Sequence, residues 1–110
     1  MNHKYNAKKT EIDGITFASR KEADYYNELC LRKRARDIKD FSLQPKFILL
    51  YDFVHGGKKY KGISYTADFK IEHNDGSYEI IECKGFKTTD YILRKKLLLS
   101  QYPDLKFSEV

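Results

Sequence analysis

The stretch from Tyr60 to Lys84 constrains the fold of this chain more than any other. Ile63, Tyr65, Ala67, Phe69 and Ile71 alternate with Ser64, Thr66, Asp68 and Lys70, the period of two that marks a strand with one apolar and one polar side. Asn74-Asp75-Gly76 interrupts the pattern, and Tyr78 to Lys84 resumes it as a second strand. A three-residue loop with a type I turn and Gly76 in the left-handed position suits these residues. That loop pairs His73 with Ser77, which sets Asp68 opposite Glu82 and Thr66 opposite Lys84. A two-residue Asp-Gly turn would instead set Asp68 opposite Cys83 and turn Glu82 to the other face. The turn therefore decides whether two carboxylates meet.

The flanking segments supply the remaining elements. Ile12-Asp13-Gly14-Ile15 carries an Asp-Gly hairpin signal. Ser19 with Glu22 three residues on forms a capping box, so a helix is predicted from Ser19 to about Arg36. Ala23, Tyr26, Leu29 and Cys30 share one of its faces. Phe41 to Phe53 contains Gln44-Pro45 and the apolar run Phe47 to Leu50, which reads as a buried strand. His55-Gly56-Gly57 marks a turn. Thr88 or Thr89 caps a second helix, Tyr102-Pro103 ends it, and Leu105 to Val110 forms a last strand. The expected order is hairpin-α-β-β-β-α-β, an α/β arrangement. At 110 residues the chain suits one domain, placed over residues 12–110 behind a basic tail at residues 1–11.

Cys30 and Cys83 are far apart and show no metal-type spacing. They read as reduced thiols of a cytoplasmic protein rather than a disulfide framework. No apolar run approaches the ~20 residues of a membrane span, and residues 1–10 lack the apolar core of a secretory signal. The net charge of +5 suits a phosphate-backbone partner but is common among soluble proteins. Lys4, Lys8 and Lys9 in the tail are either a solvated end or an arm on DNA phosphates. Arg94-Lys95-Lys96, with Lys84 and Lys87 before them, are either a solvated helix face or a phosphate-binding cluster. Arg20 and Lys21 join the cations expected at DNA. His3, His55 and His73 read as exposed loop residues.

Facing carboxylates repel. Lys84, two residues beyond Glu82 on the same face, compensates only in part, whereas a divalent cation would do so fully. Carboxylate oxygens are what Mg²⁺ prefers, one or two at a time, with water and substrate phosphate completing the shell. The competing reading is a sheet face with mixed surface charge. Glu22 has two readings as well: the capping box explains it, and its stripe with Tyr26 and Leu29 would also hang it over the Asp68–Glu82 pair.

Asp68 followed by Glu82-Cys83-Lys84 resembles the PD-(D/E)xK nuclease superfamily. The chain is more closely similar to a family of small phage and prophage proteins known as a domain of unknown function. Lys4-Tyr5-Asn6-Ala7, Asp13-Gly14-Ile15-Thr16-Phe17, Ser19-Arg20-Lys21-Glu22-Ala23, Leu43-Gln44-Pro45, Tyr65-Thr66-Ala67-Asp68-Phe69 and Glu82-Cys83-Lys84-Gly85 carry that likeness. Thr66-Ala67 stands where the superfamily usually has Pro before the Asp. The resemblance implies a restriction-endonuclease-like mixed β-sheet flanked by helices, and metal-dependent hydrolysis of DNA. It implies Mg²⁺, with Mn²⁺ as substitute, on Asp68, Glu82 and the Cys83 carbonyl, with Glu22 as an added helix acid. Lys84 would orient the attacking water, and Gln44 would sit at the site edge. A phage protein would work in the host cytoplasm. Branched-DNA or Holliday-junction cleavage is the specialisation implied, which calls for a homodimer. The alternative is a non-catalytic DNA-binding or phage interaction module that keeps the nuclease fold.

Overall fold

The computed structural model describes residues 9–110. The chain opens with a hairpin of β1 (Thr10–Ile12) and β2 (Ile15–Phe17). Asp13 and Gly14 both take positive φ, 54° and 77°, the signature of a type I′ turn. The hairpin thus begins two residues inside the expected tail. Helix α1 (Arg20–Arg34) follows, and its Ser19 cap accepts the Glu22 N–H at 3.1 Å as the capping box requires. Arg32, Lys33 and Arg34 occupy the last turn, where cations favour the exposed carbonyl end.

The central sheet has the order β10-β9-β8-β3. It comprises β3 (Asp40–Leu43), β8 (Phe69–Glu72), β9 (Tyr78–Glu82) and β10 (Lys106–Glu109). β8 is antiparallel to both β3 and β9, while β10 runs parallel to β9. A parallel neighbour needs a crossover, and α2 (Thr89–Gln101) supplies it, with Thr88 Oγ1 capping at the Tyr91 N–H. The fold is therefore mixed α/β, with a multistranded sheet and two helices.

Each sheet face carries its own core. Phe69, Ile71 and Ile81 pack with Phe17, Ala23, Leu29 and Ile38 beneath α1. Ile80 packs with Leu49, Tyr65, Ala67, Tyr91 and Leu98 beneath α2. Burial on both faces explains why β9 reads as an apolar run, Ile80-Ile81, rather than as a clean alternation.

Between Leu43 and Asp68 the structure departs from the sequence expectation. Tyr60 to Glu72 does not form one strand. It divides into the end of β6 (Lys58–Tyr60), β7 (Ile63–Thr66) and β8, with a break at Ala67-Asp68. β7 leaves the sheet to pair with β4 (Lys46–Leu50), so Thr66 stands opposite Lys46 rather than Lys84. The break also divides the apolar set: Tyr65 and Ala67 pack under α2, whereas Phe69 and Ile71 pack under α1. β4 is not a buried strand. Leu49 is buried and Phe47 half-buried, while Ile48 and Leu50 stay exposed, because β4 belongs to a two-stranded ladder beside the sheet. β5 (Phe53–His55) and β6 complete this projection as a hairpin with every residue exposed. Strands of three residues without a buried face leave no periodic signal.

At the foot of the projection Gln44 takes φ 51°, a left-handed conformation that costs a non-glycine residue roughly 1–2 kcal/mol. Its N–H donates to the Asp68 carbonyl at 2.9 Å, and the Ala67 N–H donates to the Pro45 carbonyl at 3.0 Å. These bonds carry the β3–β8 register across the break into β4–β7. Higher up, Gly62 passes so close to β4 that an added Cβ would overlap the Leu50 carbonyl oxygen.

Because the obstacle at Gly62 is backbone, Gly62→Ala should cost on the order of 1–3 kcal/mol through forced displacement. Ser19→Ala should cost about 1 kcal/mol through loss of the α1 cap. Urea unfolding of the two variants checks both, and a Gly62→Ala midpoint equal to wild type would show that the close approach is not fixed.

Candidate active site

The loop His73 to Ser77 sets the geometry of the site. The His73 N–H donates to the Ser77 carbonyl at 2.8 Å, and the Gly76 N–H donates to the His73 carbonyl at 3.0 Å. Gly76 is left-handed at φ 88°, and the Asp75 carboxylate accepts from the Ser77 N–H and hydroxyl. This is the three-residue loop, and with it Phe69 faces Ile81 and Glu72 faces Tyr78. The ladder ends there: Asp68, one residue before β8, gives its N–H to Ile81, and Glu82 is the last residue of β9, so the two acids sit side by side just beyond the last ladder pair. His73 is not a free loop residue, since its Nε2 lies 2.9 Å from Glu79 Oε1.

Asp68 is held by its backbone and its side chain together. Its N–H donates to the Ile81 carbonyl at 3.2 Å, and its Oδ2 accepts the Cys83 N–H at 2.7 Å. Glu82 is only 4% exposed, and its Oε1 accepts the Tyr65 hydroxyl. The two carboxyl groups share a hydrogen bond. Burial raises the pKa of both, and within the pair the bond lowers Asp68 and raises Glu82. Burial first, and then the Asp68 charge, push Glu82 up to about 7. Lys84 Nζ lies 3.8 Å from Glu82 Oε2 and 4.5 Å from the centre of the Tyr91 ring.

Glu22 comes from α1, on the other face of the sheet, and reaches the pair at the sheet end. It is 8% exposed. Burial and then the Asp68 charge push its carboxyl up to about 7. Of the two readings of Glu22, the cap is half present: its N–H bonds the Ser19 hydroxyl, but its carboxyl takes a backbone bond from Ala18 rather than from Ser19 and feels the Asp68 charge across the cleft. Cys83 adjoins all three acids, and burial followed by the charge of Asp68 pushes its thiol up to about 12. An open cleft of about 710 Å³ runs along Ala18 to Glu22, Asp68, Glu82 to Phe86 and Thr88. Among the described residues no three His, Cys, Asp or Glu side chains form a metal-holding group. The facing carboxylate donors number two.

The remaining candidates divide. Arg20 and Lys21 line the cleft, Arg20 paired with Asp24 at 3.3 Å and Lys21 Nζ donating to the Lys84 carbonyl at 3.5 Å. Lys9 is exposed, while Lys4 and Lys8 lie outside the described residues. Lys87 and Lys95 both pair with Glu109, at 3.0 and 3.2 Å, and Arg94 pairs with Asp90 and donates to the Ser64 carbonyl. Two carboxylates thus offset part of the charge of that cluster. Gln44 does not line the cleft; it meets Asp68 through its N–H. Tyr65 is the residue that the sequence pattern concealed, because it read as one more member of an apolar side. A phenol within such a run needs a buried partner, which is the one signal pointing to its role.

A family match covers residues 2–110, and the family is described as a protein of unknown function, DUF1064. The chain belongs to that family. No curated protein and no solved structure matches the chain. Among the described residues no helix is long and apolar enough to cross a membrane.

The raised carboxyls give stability a pH signature. Glu22 and Glu82 move from 4.5 to about 7 on folding, so between those values the folded chain binds more protons than the unfolded chain. Stability then falls as pH rises through that window. Glu109, held down to about 2 first by the Tyr91 hydroxyl and then by Lys87, acts oppositely and loses its contribution as pH falls below 4.5. The metal-free protein should therefore melt highest near pH 5. Melting temperatures from pH 3 to 8 check this, and Glu82→Gln should flatten the decline above pH 5.

Proposed function

We propose that this chain is a metal-dependent DNA endonuclease of the PD-(D/E)xK type, with a restriction-endonuclease-like sheet. The observation that carries the reading is the Asp68–Glu82 pair, Glu82 buried and Asp68 half-buried, hydrogen-bonded to each other and flanked by Lys84 at an open cleft. Facing carboxylates oppose folding, and their hydrogen bond relieves them only below the raised pKa. A hard divalent cation fits this donor set, since it takes oxygen ligands and brings two charges.

Asp68 and Glu82 would hold Mg²⁺ or Mn²⁺, with the Cys83 carbonyl as a further oxygen donor. When bound, such an ion supplies Lewis-acid polarisation of a phosphoryl oxygen and an acidified water. The chain's own residues do the rest. Cys83 N–H and Tyr65 OH fix the two carboxylates in orientation. The Lys84 ammonium, anchored between Glu82 and the Tyr91 face, stabilises negative charge growing on the phosphoryl group. Glu22, able to hold or release a proton near neutrality, is suited to take one from the nucleophile. Arg20 and Lys21 on the cleft wall attract the phosphate backbone.

Cleavage of linear, nicked, flapped and four-way DNA with Mg²⁺, Mn²⁺ or EDTA tests the reading. Wild type should cut at least one substrate only with metal, and Mg²⁺ should raise its melting temperature. Asp68→Asn and Glu82→Gln should abolish cutting while keeping the fold, and each should melt higher than wild type without metal. Lys84→Ala should retain the Mg²⁺ shift but slow cutting by about 10²–10³, the scale of losing one positioned charge-stabilising group. A wild type that cuts nothing and is unmoved by Mg²⁺ overturns the reading.

A further inference from the structure

The projection between Gln44 and Ala67 serves neither core beyond its base, and its outer half is exposed throughout. The described chain has a radius of gyration of 16.3 Å and spans 55 × 45 × 23 Å, against about 13 Å for a compact domain of similar length. At its tip Gly56 and Gly57 both take positive φ, 56° and 76°, so β5 and β6 meet in a tight two-residue turn. The ribbon places Phe53 opposite Tyr60, Val54 opposite Lys59, and His55 opposite Lys58. Phe53 and Tyr60 stack at 5.0 Å with their planes 8° apart. Val54 is 64% exposed.

Charge identifies what such a ribbon would meet. Lys58, Lys59 and Lys61 form no ion pair among the described residues, and Lys58 lies 5.3 Å over the Tyr60 ring. The neighbouring acid, Asp52, is exposed, and its carboxylate accepts the Gly62 N–H at 2.6 Å and forms no ion pair with them. Lys87, and Arg94 and Lys95 of α2, by contrast have acidic partners, Lys87 and Lys95 sharing Glu109. Cations without acidic partners, on both faces of a narrow ribbon that also bears a stacked aromatic pair, complement a polyanion with a groove. The major groove of B-DNA, about 12 Å wide, admits a two-stranded β-ribbon.

We infer that the β5–β6 ribbon is a DNA-binding arm that enters a duplex groove, with Lys58, Lys59 and Lys61 on the phosphates. The inference rests on the DNA reading given above and extends it. The arm springs from both sides of Asp68: Gln44 bonds the Asp68 carbonyl at one foot, and β7 ends two residues before Asp68 at the other. DNA gripped by the arm is thereby delivered toward the carboxylate pair.

Duplex binding in EDTA, titrated over salt concentration, tests the arm apart from chemistry. The triple variant Lys58→Gln, Lys59→Gln, Lys61→Gln should bind at least about tenfold more weakly at low salt. Its plot of log K against log salt should be shallower by up to about 3, near 0.9 for each phosphate no longer neutralised. A control triple with equal charge loss, Lys33→Gln, Lys39→Gln, Lys106→Gln, should leave the slope near wild type. Equal effects of the two triples, an unchanged slope in the arm variant, or a wild type that binds no duplex would each overturn the arm. So would a wild-type dimer that Val54→Asp dissociates and the lysine triple leaves intact, since the ribbon would then dock on a second copy. Arm-dependent binding without metal-dependent cutting would sink the nuclease reading and leave the arm standing.

Discussion

Asp68, just before β8, and Glu82, at the end of β9, meet where the ladder between those strands stops, and most of the surrounding structure accommodates that meeting. Two carboxyls in a buried place cannot both ionise cheaply. The fold answers with a hydrogen bond between the two, with the Tyr65 hydroxyl on Glu82, with the Cys83 N–H on Asp68, and with the Lys84 ammonium at 3.8 Å. None of these restores a full opposing charge beside both groups. A chain selected only for stability would place an apolar or oppositely charged pair at this register. Local rules broken at one point, amid consistent packing elsewhere, characterise functional sites.

The site also explains why the sheet carries a core on each face. Asp68, Glu82 and Lys84 approach the cleft beside Tyr65 and Tyr91, under α2, while Glu22 arrives with α1 from the other side. Only the end of the sheet, where β8 begins and β9 stops, is open to both helices. The parallel pairing of β10 secures that end, since the Val110 N–H takes the Glu82 carbonyl at 2.9 Å and leaves the Glu82 side chain to the cleft. Chemistry at the ends of strands, with backbone bonds satisfied around it, permits precise placement without an unpaired amide in the core.

What could be read in the sequence was what local rules govern. The Ser19–Glu22 cap, the Asp13-Gly14 and Asn74-Asp75-Gly76 turns, and the Asp68–Glu82 register follow from backbone preferences a few residues long. The continuous strand from Tyr60 to Glu72 did not survive, because alternation is blind to a strand that changes partners. Ile63, Tyr65 and Ala67 keep the alternating pattern while packing against a different helix from Phe69 and Ile71. The buried reading of Phe47 to Leu50 failed for a related reason: apolar content shows that a segment can be covered, and only tertiary pairing shows whether it is. The basic cluster in α2 looked free because Glu109, which offsets part of its charge, lies on β10, across a contact that the sequence does not reveal.

The break at Ala67-Asp68 joins these points. A strand that continued straight through it would carry β7 onward beside β9, toward the Thr66–Lys84 pairing that the alternation suggests, and would close the end of the sheet. By leaving the sheet there, the chain opens the cleft, frees Tyr65 to turn its hydroxyl onto Glu82, and starts the projection that becomes the arm. The left-handed Gln44 lies on the facing strand, and its N–H to the Asp68 carbonyl keeps the register that runs from Leu43–Phe69 on one side of the break to Lys46–Thr66 on the other. Asp68 is thus fixed by three bonds, to Ile81, Gln44 and Cys83, at the very residue where the regular ladder stops. A force applied to the arm reaches Asp68 through its own backbone, so its carboxylate is the side chain of the site most directly coupled to whatever the arm holds.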